Sequence, residues 1–120
     1  ENHPNIVSAH MESGFTWDTQ DKEQDKNKAT KTWHEAKKFL SNPDISLVVL
    51  DEITYMINYK YLEETEVLKA LSDRPKDQHV VITGRAASQG LIDISDTVSE
   101  VDDIKHAFRA NIRAQKGIDL

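Results

Sequence analysis

Cysteine is absent from the 120-residue sequence, so no disulfide framework and no thiolate chemistry is available, which fits a reducing compartment. No apolar run reaches membrane-spanning length and no charged-then-hydrophobic leader opens the chain; the expectation is a cytoplasmic protein with no membrane association. Positive charge is scarce, with 15 Lys and Arg against 21 Asp and Glu. The net charge of -6 disfavours a nucleic-acid binder, because tracking phosphates takes a basic face that displaces counterions. Glycine occurs only at Gly14, Gly84, Gly90 and Gly117, a spacing that forms no phosphate-cradling loop. The chain opens at Glu1 without a methionine and residues 1–4 read as the middle of a loop, so an amino-terminal portion is expected to be missing. There is no internal repeat. What remains, 38% hydrophobic and 30% charged residues, is the composition of a globular chain, and 120 residues suit a single domain over residues 1–120.

The most informative stretch is residues 45–56 (ISLVVLDEITYM). Leu47 to Leu50 form a short, continuous apolar run, which reads as a strand buried on both faces of a parallel sheet, since a strand with one wet face alternates apolar and polar residues. It runs into Asp51 and Glu52. In open α/β sheets ligands sit at the carboxyl edge, so this pattern resembles a Walker B strand, where an acid holds Mg²⁺ beside a nucleotide's phosphates. The alternative is that the two acids open a solvated turn or cap the following helix.

Elsewhere, residues 5–11 (NIVSAHM) read as a short strand, and Phe15 and Trp17 follow in a polar loop. Residues 22–40 read as an amphipathic helix with Ala29, Trp33, Ala36, Phe39 and Leu40 on one stripe, which makes Trp33 a core residue. A second helix is expected over residues 62–72. Residues 79–83 (HVVIT) form a second β-branched run ending in Gly84-Arg85, and strand, helix, strand at this spacing is a βαβ unit. A short helix is expected over residues 90–95 and a last strand over residues 96–101 (DTVSEV), before a tail carrying Lys105, His106, Arg109, Arg113 and Lys116.

Two strands ending in Asp51-Glu52 and Gly84-Arg85 bring acids and a guanidinium to one edge. That suits a metal-bridged anion, with carboxylates on Mg²⁺ and Arg85 on phosphate or carboxylate oxygens; a structural salt bridge between Arg85 and an acid is the competing reading. His3, His10, His34, His79 and His106 show no ligand spacing, so a zinc site is not expected. No serine sits in a nucleophile elbow.

Five segments occur in order: Gly14-Phe15-Thr16-Trp17-Asp18-Thr19-Gln20, Leu50-Asp51-Glu52-Ile53-Thr54-Tyr55-Met56, Ile82-Thr83-Gly84-Arg85, Asp96-Thr97-Val98-Ser99-Glu100, and Lys105-His106-Ala107-Phe108 with Ala114-Gln115-Lys116-Gly117-Ile118. Together they resemble the bacterial P-loop type of ATP:corrinoid adenosyltransferase, over nearly the whole chain. The resemblance implies a P-loop NTPase-like α/β fold, a mostly parallel sheet flanked by helices, and a homodimer. It implies transfer of the 5′-deoxyadenosyl group of ATP to the cobalt of a reduced corrinoid (cob(I)yrinic acid a,c-diamide or cob(I)alamin), with Mg²⁺ and a reductase such as a flavodoxin. Phe15 and Trp17 would displace the lower axial ligand of the corrinoid, which eases reduction to Co(I). Glu52 would hold Mg²⁺ with Asp51 beside it, Arg85 would contact phosphates, and His106 would lie near the corrinoid or the dimer partner.

The chain departs from the family pattern in two places. The amino-terminal strand and glycine-rich P-loop have no counterpart in it, and a chain truly beginning at Glu1 should bind ATP poorly. Ala86-Ala87-Ser88-Gln89 also replaces a more usual glycine- and proline-containing segment. A non-catalytic corrinoid-binding or dimerising homologue that has lost ATP binding is the alternative function. A receiver-like domain using Asp51 as phosphate acceptor leaves Glu52 and the aromatic loop without a role.

Overall fold

A computed structural model describes residues 4–9 and 22–105. Its elements run α1 (Lys22–Ser41), β1 (Leu47–Leu50), α2 (Ile53–Asn58), α3 (Glu64–Ser72), β2 (His79–Ile82) and α4 (Gln89–Ile94). This is an α/β arrangement built on a small parallel sheet, compatible with a P-loop-like fold.

Helix α1 follows from its sequence. Glu23 and Asp25 sit in the first turn and Lys38 in the last, each complementing the helix dipole. Ala29, Trp33 and Leu40 are buried, with Ala36 and Phe39 packed at the margin, so the expected stripe is the stripe that faces inward. Pro43 keeps the backbone before it out of helical geometry, and the Asn42 side chain accepts the Asp44 N–H at 2.9 Å to turn the chain into β1. A buried amide ties this turn down. Gln78 Nε2 donates to the carbonyls of Phe39, Asn42 and Ile45 at 3.0, 3.2 and 3.1 Å, adding to the turn bonds that the Phe39 and Asn42 oxygens already accept from the Asn42 and Ile45 N–H groups.

The strands pair in parallel, with Leu47 opposite His79 and Leu50 opposite Ile82. Val48 and Leu50 are buried, and Val80 and Ile82 beside them pack on the same core with Ile53, Ile57, Val67 and Leu71. The other face differs from the expectation of burial on both sides: Leu47 and Val49 are 53% and 55% exposed, and Val81 is exposed as well. Side chains alternate faces along a strand, and among the described residues helices cover only one face.

Residues 53–58 form a short helix directly after the two acids. Two further differences are local. Residues 6–9 are not in a strand, and neither are residues 96–101. The latter expose Val98 and Val101, and among the described residues no strand lies beside them to supply the ladder hydrogen bonds. Helices α3 and α4 are joined where Ser88, the N-cap of α4, accepts the Leu91 N–H and donates its hydroxyl proton to Glu64 at 2.5 Å. No helix among the described residues is long and apolar enough to cross a membrane.

Candidate functional site at the carboxyl edge of the sheet

Parallel pairing brings the carboxyl ends of β1 and β2 to the same edge, and the ladder continues one step beyond the strands: the Thr83 N–H donates to the Leu50 carbonyl at 3.1 Å. Asp51 and Thr83 therefore stand side by side. The Thr83 hydroxyl donates to Asp51 Oδ1 at 2.6 Å and accepts the Glu52 N–H at 3.0 Å. Glu52 is the N-cap of α2 and adopts the left-handed conformation, φ 59° and ψ 25°, without using its side chain as a cap. A glutamate in that region is uncommon and carries strain of about 1 kcal/mol or more, which marks the turn as one its surroundings must hold in place.

The loop after β2 is fitted to α2. Gly84 has φ 149°, and a Cβ there would collide with the Thr54 hydroxyl and lie 2.8 Å from the Thr54 Cβ, so only glycine lets the loop pass this close. Thr54 is itself buried, with a hydroxyl that has no hydrogen-bond partner among the described residues. From the next turn of α2, the Asn58 amide donates to the Ala86 carbonyl at 3.2 Å and, at a longer 3.4 Å, to that of Arg85. The backbone of Arg85 is thus fixed while its side chain stays exposed.

Of the residues singled out in the sequence, Asp51, Glu52 and Arg85 come to one edge, all exposed. Arg85 forms no ion pair with either acid among the described residues, so the structural salt bridge does not form there; the ion pairs found are the exposed Lys38–Glu35 and Lys69–Asp73. Phe15, Trp17 and His106 lie outside the described residues. Thr83, Asn58 and the Gly84–Thr54 approach were not anticipated. Strand register could have found Thr83, because pairing the apolar run of residues 47–50 with that of residues 79–82 sets position 83 beside position 51.

Among the described residues no group of three or more His, Cys, Asp or Glu side chains could hold a metal ion. Two exposed carboxylates still fit Mg²⁺, a hard cation that keeps several waters and takes one or two carboxylates plus substrate phosphates. A shallow depression of about 290 Å³ lies elsewhere, between the start of α1 and Tyr59-Lys60-Tyr61, and is lined by none of the edge residues. Tyr59 and Tyr61 form an aromatic cluster with Tyr55, whose hydroxyl titrates above the usual tyrosine range because it loses hydration and faces Tyr61, Tyr59 and Asp25.

A parallel sheet whose carboxyl edge presents two acids and an arginine with its backbone held is an α/β arrangement of the class in which ligands are bound at that edge. The comparisons with known proteins narrow that class. Residues 2–120 match the family model described as ATP:corrinoid adenosyltransferase BtuR/CobO/CobP, and the chain belongs to that family. It is 49% identical to a corrinoid adenosyltransferase of Pseudomonas aeruginosa over 118 residues, covering 98% of this chain and 58% of that protein. It is 48% identical over 109 residues to the corrinoid adenosyltransferase CobA of Salmonella typhimurium and 47% identical over 109 residues to that of Escherichia coli K12, covering 91% of this chain and 56% of each relative. The chain thus spans somewhat more than half the length of these three relatives.

Proposed function

We propose that the protein to which this chain belongs transfers the 5′-deoxyadenosyl group of ATP to the cobalt of a reduced corrinoid, cob(I)yrinic acid a,c-diamide or cob(I)alamin, in adenosylcobalamin biosynthesis or salvage. The observation that carries this reading is the family match through residues 2–120, which takes in the acid pair, the arginine and the aromatic loop. In the reaction Co(I) attacks C5′ of ATP, the cobalt–carbon bond forms, the C5′–O bond breaks, and triphosphate leaves with the bonding electrons.

Each edge residue has a task in that scheme. Glu52 would hold Mg²⁺, with Asp51 beside it, and Arg85 would bind phosphate oxygens through its planar fork of N–H donors. When bound, the cation neutralises charge on the triphosphate leaving group. Phe15 and Trp17 displace the lower axial ligand of the corrinoid, which makes reduction of Co(II) easier, and a reductase such as a flavodoxin supplies the electron. His106 lies near the corrinoid or a second copy of the chain. We further propose a cytoplasmic homodimer in which residues 1–120 belong to a single α/β domain.

Substitution of both loop aromatics tests the assignment. In the full-length gene product, Phe15→Ala with Trp17→Ala should abolish the electron spin resonance signal of four-coordinate Co(II) corrinoid while ATP affinity stays nearly unchanged. Loss of ATP binding instead would contradict the role given to the loop.

A further inference from the structure

At the sheet's carboxyl edge a single hydroxyl is bonded to both acids. Thr83 takes the Glu52 backbone N–H at 3.0 Å and gives its proton to Asp51 Oδ1 at 2.6 Å. The direction of this relay is set by chemistry: an N–H can only donate, an ionised carboxylate can only accept, and a hydroxyl does both. The second bond is short, as charge-assisted O–H···O⁻ bonds are. Thr83 is held in turn by its own N–H, which extends the strand ladder to Leu50.

The consequences for the two acids are unequal. Asp51 has one oxygen committed to Thr83, whereas among the described residues Glu52 has no side-chain hydrogen bond or ion pair and only its backbone is fixed. Glu52 sits in a left-handed conformation that its own side chain does nothing to hold, and its N–H is the group Thr83 accepts. All three residues are exposed, in a setting where side chains ordinarily exchange rotamers freely.

We propose that Thr83 is a positioning residue for the divalent cation: it anchors Asp51 into the sheet end and fixes the backbone of Glu52, so that Glu52 is the acid that ligates. The inference rests on the reading of Glu52 as the Mg²⁺ ligand. Partners that orient metal-ligating groups govern metal affinity by about 10- to 100-fold, far more than an exposed hydrogen bond governs folding.

Mn²⁺ can stand in for Mg²⁺ and be counted by electron spin resonance in the presence of ATP, on the full-length gene product, alongside urea unfolding. Thr83→Val keeps the shape of the side chain and removes the relay; it should weaken Mn²⁺ binding by about tenfold or more, with an unfolding midpoint close to that of the unsubstituted protein. Thr83→Ser restores the hydroxyl and should bring binding back to within about threefold of the original. Thr83→Ala carries the same expectation as Thr83→Val if the valine variant does not fold. Glu52→Gln separates the two readings. If it weakens Mn²⁺ binding and Thr83→Val does not, Thr83 is not a positioning residue and the metal reading of Glu52 stands. If Glu52→Gln leaves Mn²⁺ binding unchanged, Glu52 is not the ligand and the role of Thr83 falls with it.

Discussion

The two ends of β2 are tied to the rest of the molecule in opposite ways. At the amino end Gln78 is buried and spends its amide on three carbonyls between Phe39 and Ile45. At the carboxyl end Thr83 is exposed and spends its hydroxyl on the two acids. A buried polar group left without partners costs far more than one that water can serve, so the first tie governs stability. The second holds the Asp51 side chain and the Glu52 backbone in place. One strand of four residues therefore separates a structural knot from a chemical edge.

The largest effect is expected at the structural knot. Gln78→Glu keeps the shape but replaces the donating amide with a group that only accepts, facing carbonyl oxygens; unfolding free energy from urea titration should fall by about 4 kcal/mol. A fall smaller than that of a surface substitution would break the contrast. Gly84→Ala attacks the other end through packing, because the new methyl must displace Thr54 or the loop; a loss of about 3 kcal/mol is expected in the same titration. This variant is the one that would blur the division, since it moves Arg85 as well. Unchanged stability would mean that the Gly84 loop is not held against α2.

The smallest effect belongs to neither end. Burial, then Tyr61, Tyr59 and Asp25, raise the Tyr55 hydroxyl above the ordinary 10.0, so the folded state holds that proton more tightly than the unfolded chain. The associated stability is fully present below pH 10.0 and is lost as pH rises through the folded value. Tyr55→Phe has no proton to lose, and its unfolding free energy should decline less steeply above pH 10.0 than that of the unsubstituted protein. Equal slopes would remove Tyr55 from the account.

Much of this was legible in the residues. The stripe of Ala29, Trp33 and Leu40 predicted α1, the runs at residues 47–50 and 79–83 predicted paired strands, and their acidic and basic ends pointed to one edge. Burial on both faces of the sheet was not legible correctly, because hydrophobic runs report what a strand prefers and not which faces the described helices reach. Residues 96–101 looked like a strand for the same reason: β-branched residues favour a ladder but cannot provide the neighbouring strand. The polar ties were invisible for a different reason. Gln78 bonds across 33 to 39 positions and Thr83 across 31 or 32, and contacts that distant leave no periodic trace along the chain.

The left-handed backbone of Glu52 also bears on how this protein could be engineered. Glycine adopts φ near 59° at no steric cost, and asparagine at little, so either would relax the turn that glutamate strains. A selection scored only on thermal resistance would drift toward those residues and discard the carboxylate without any warning from the fold. Position 52 is therefore a place where the most heat-resistant clone and the most active clone should be different molecules.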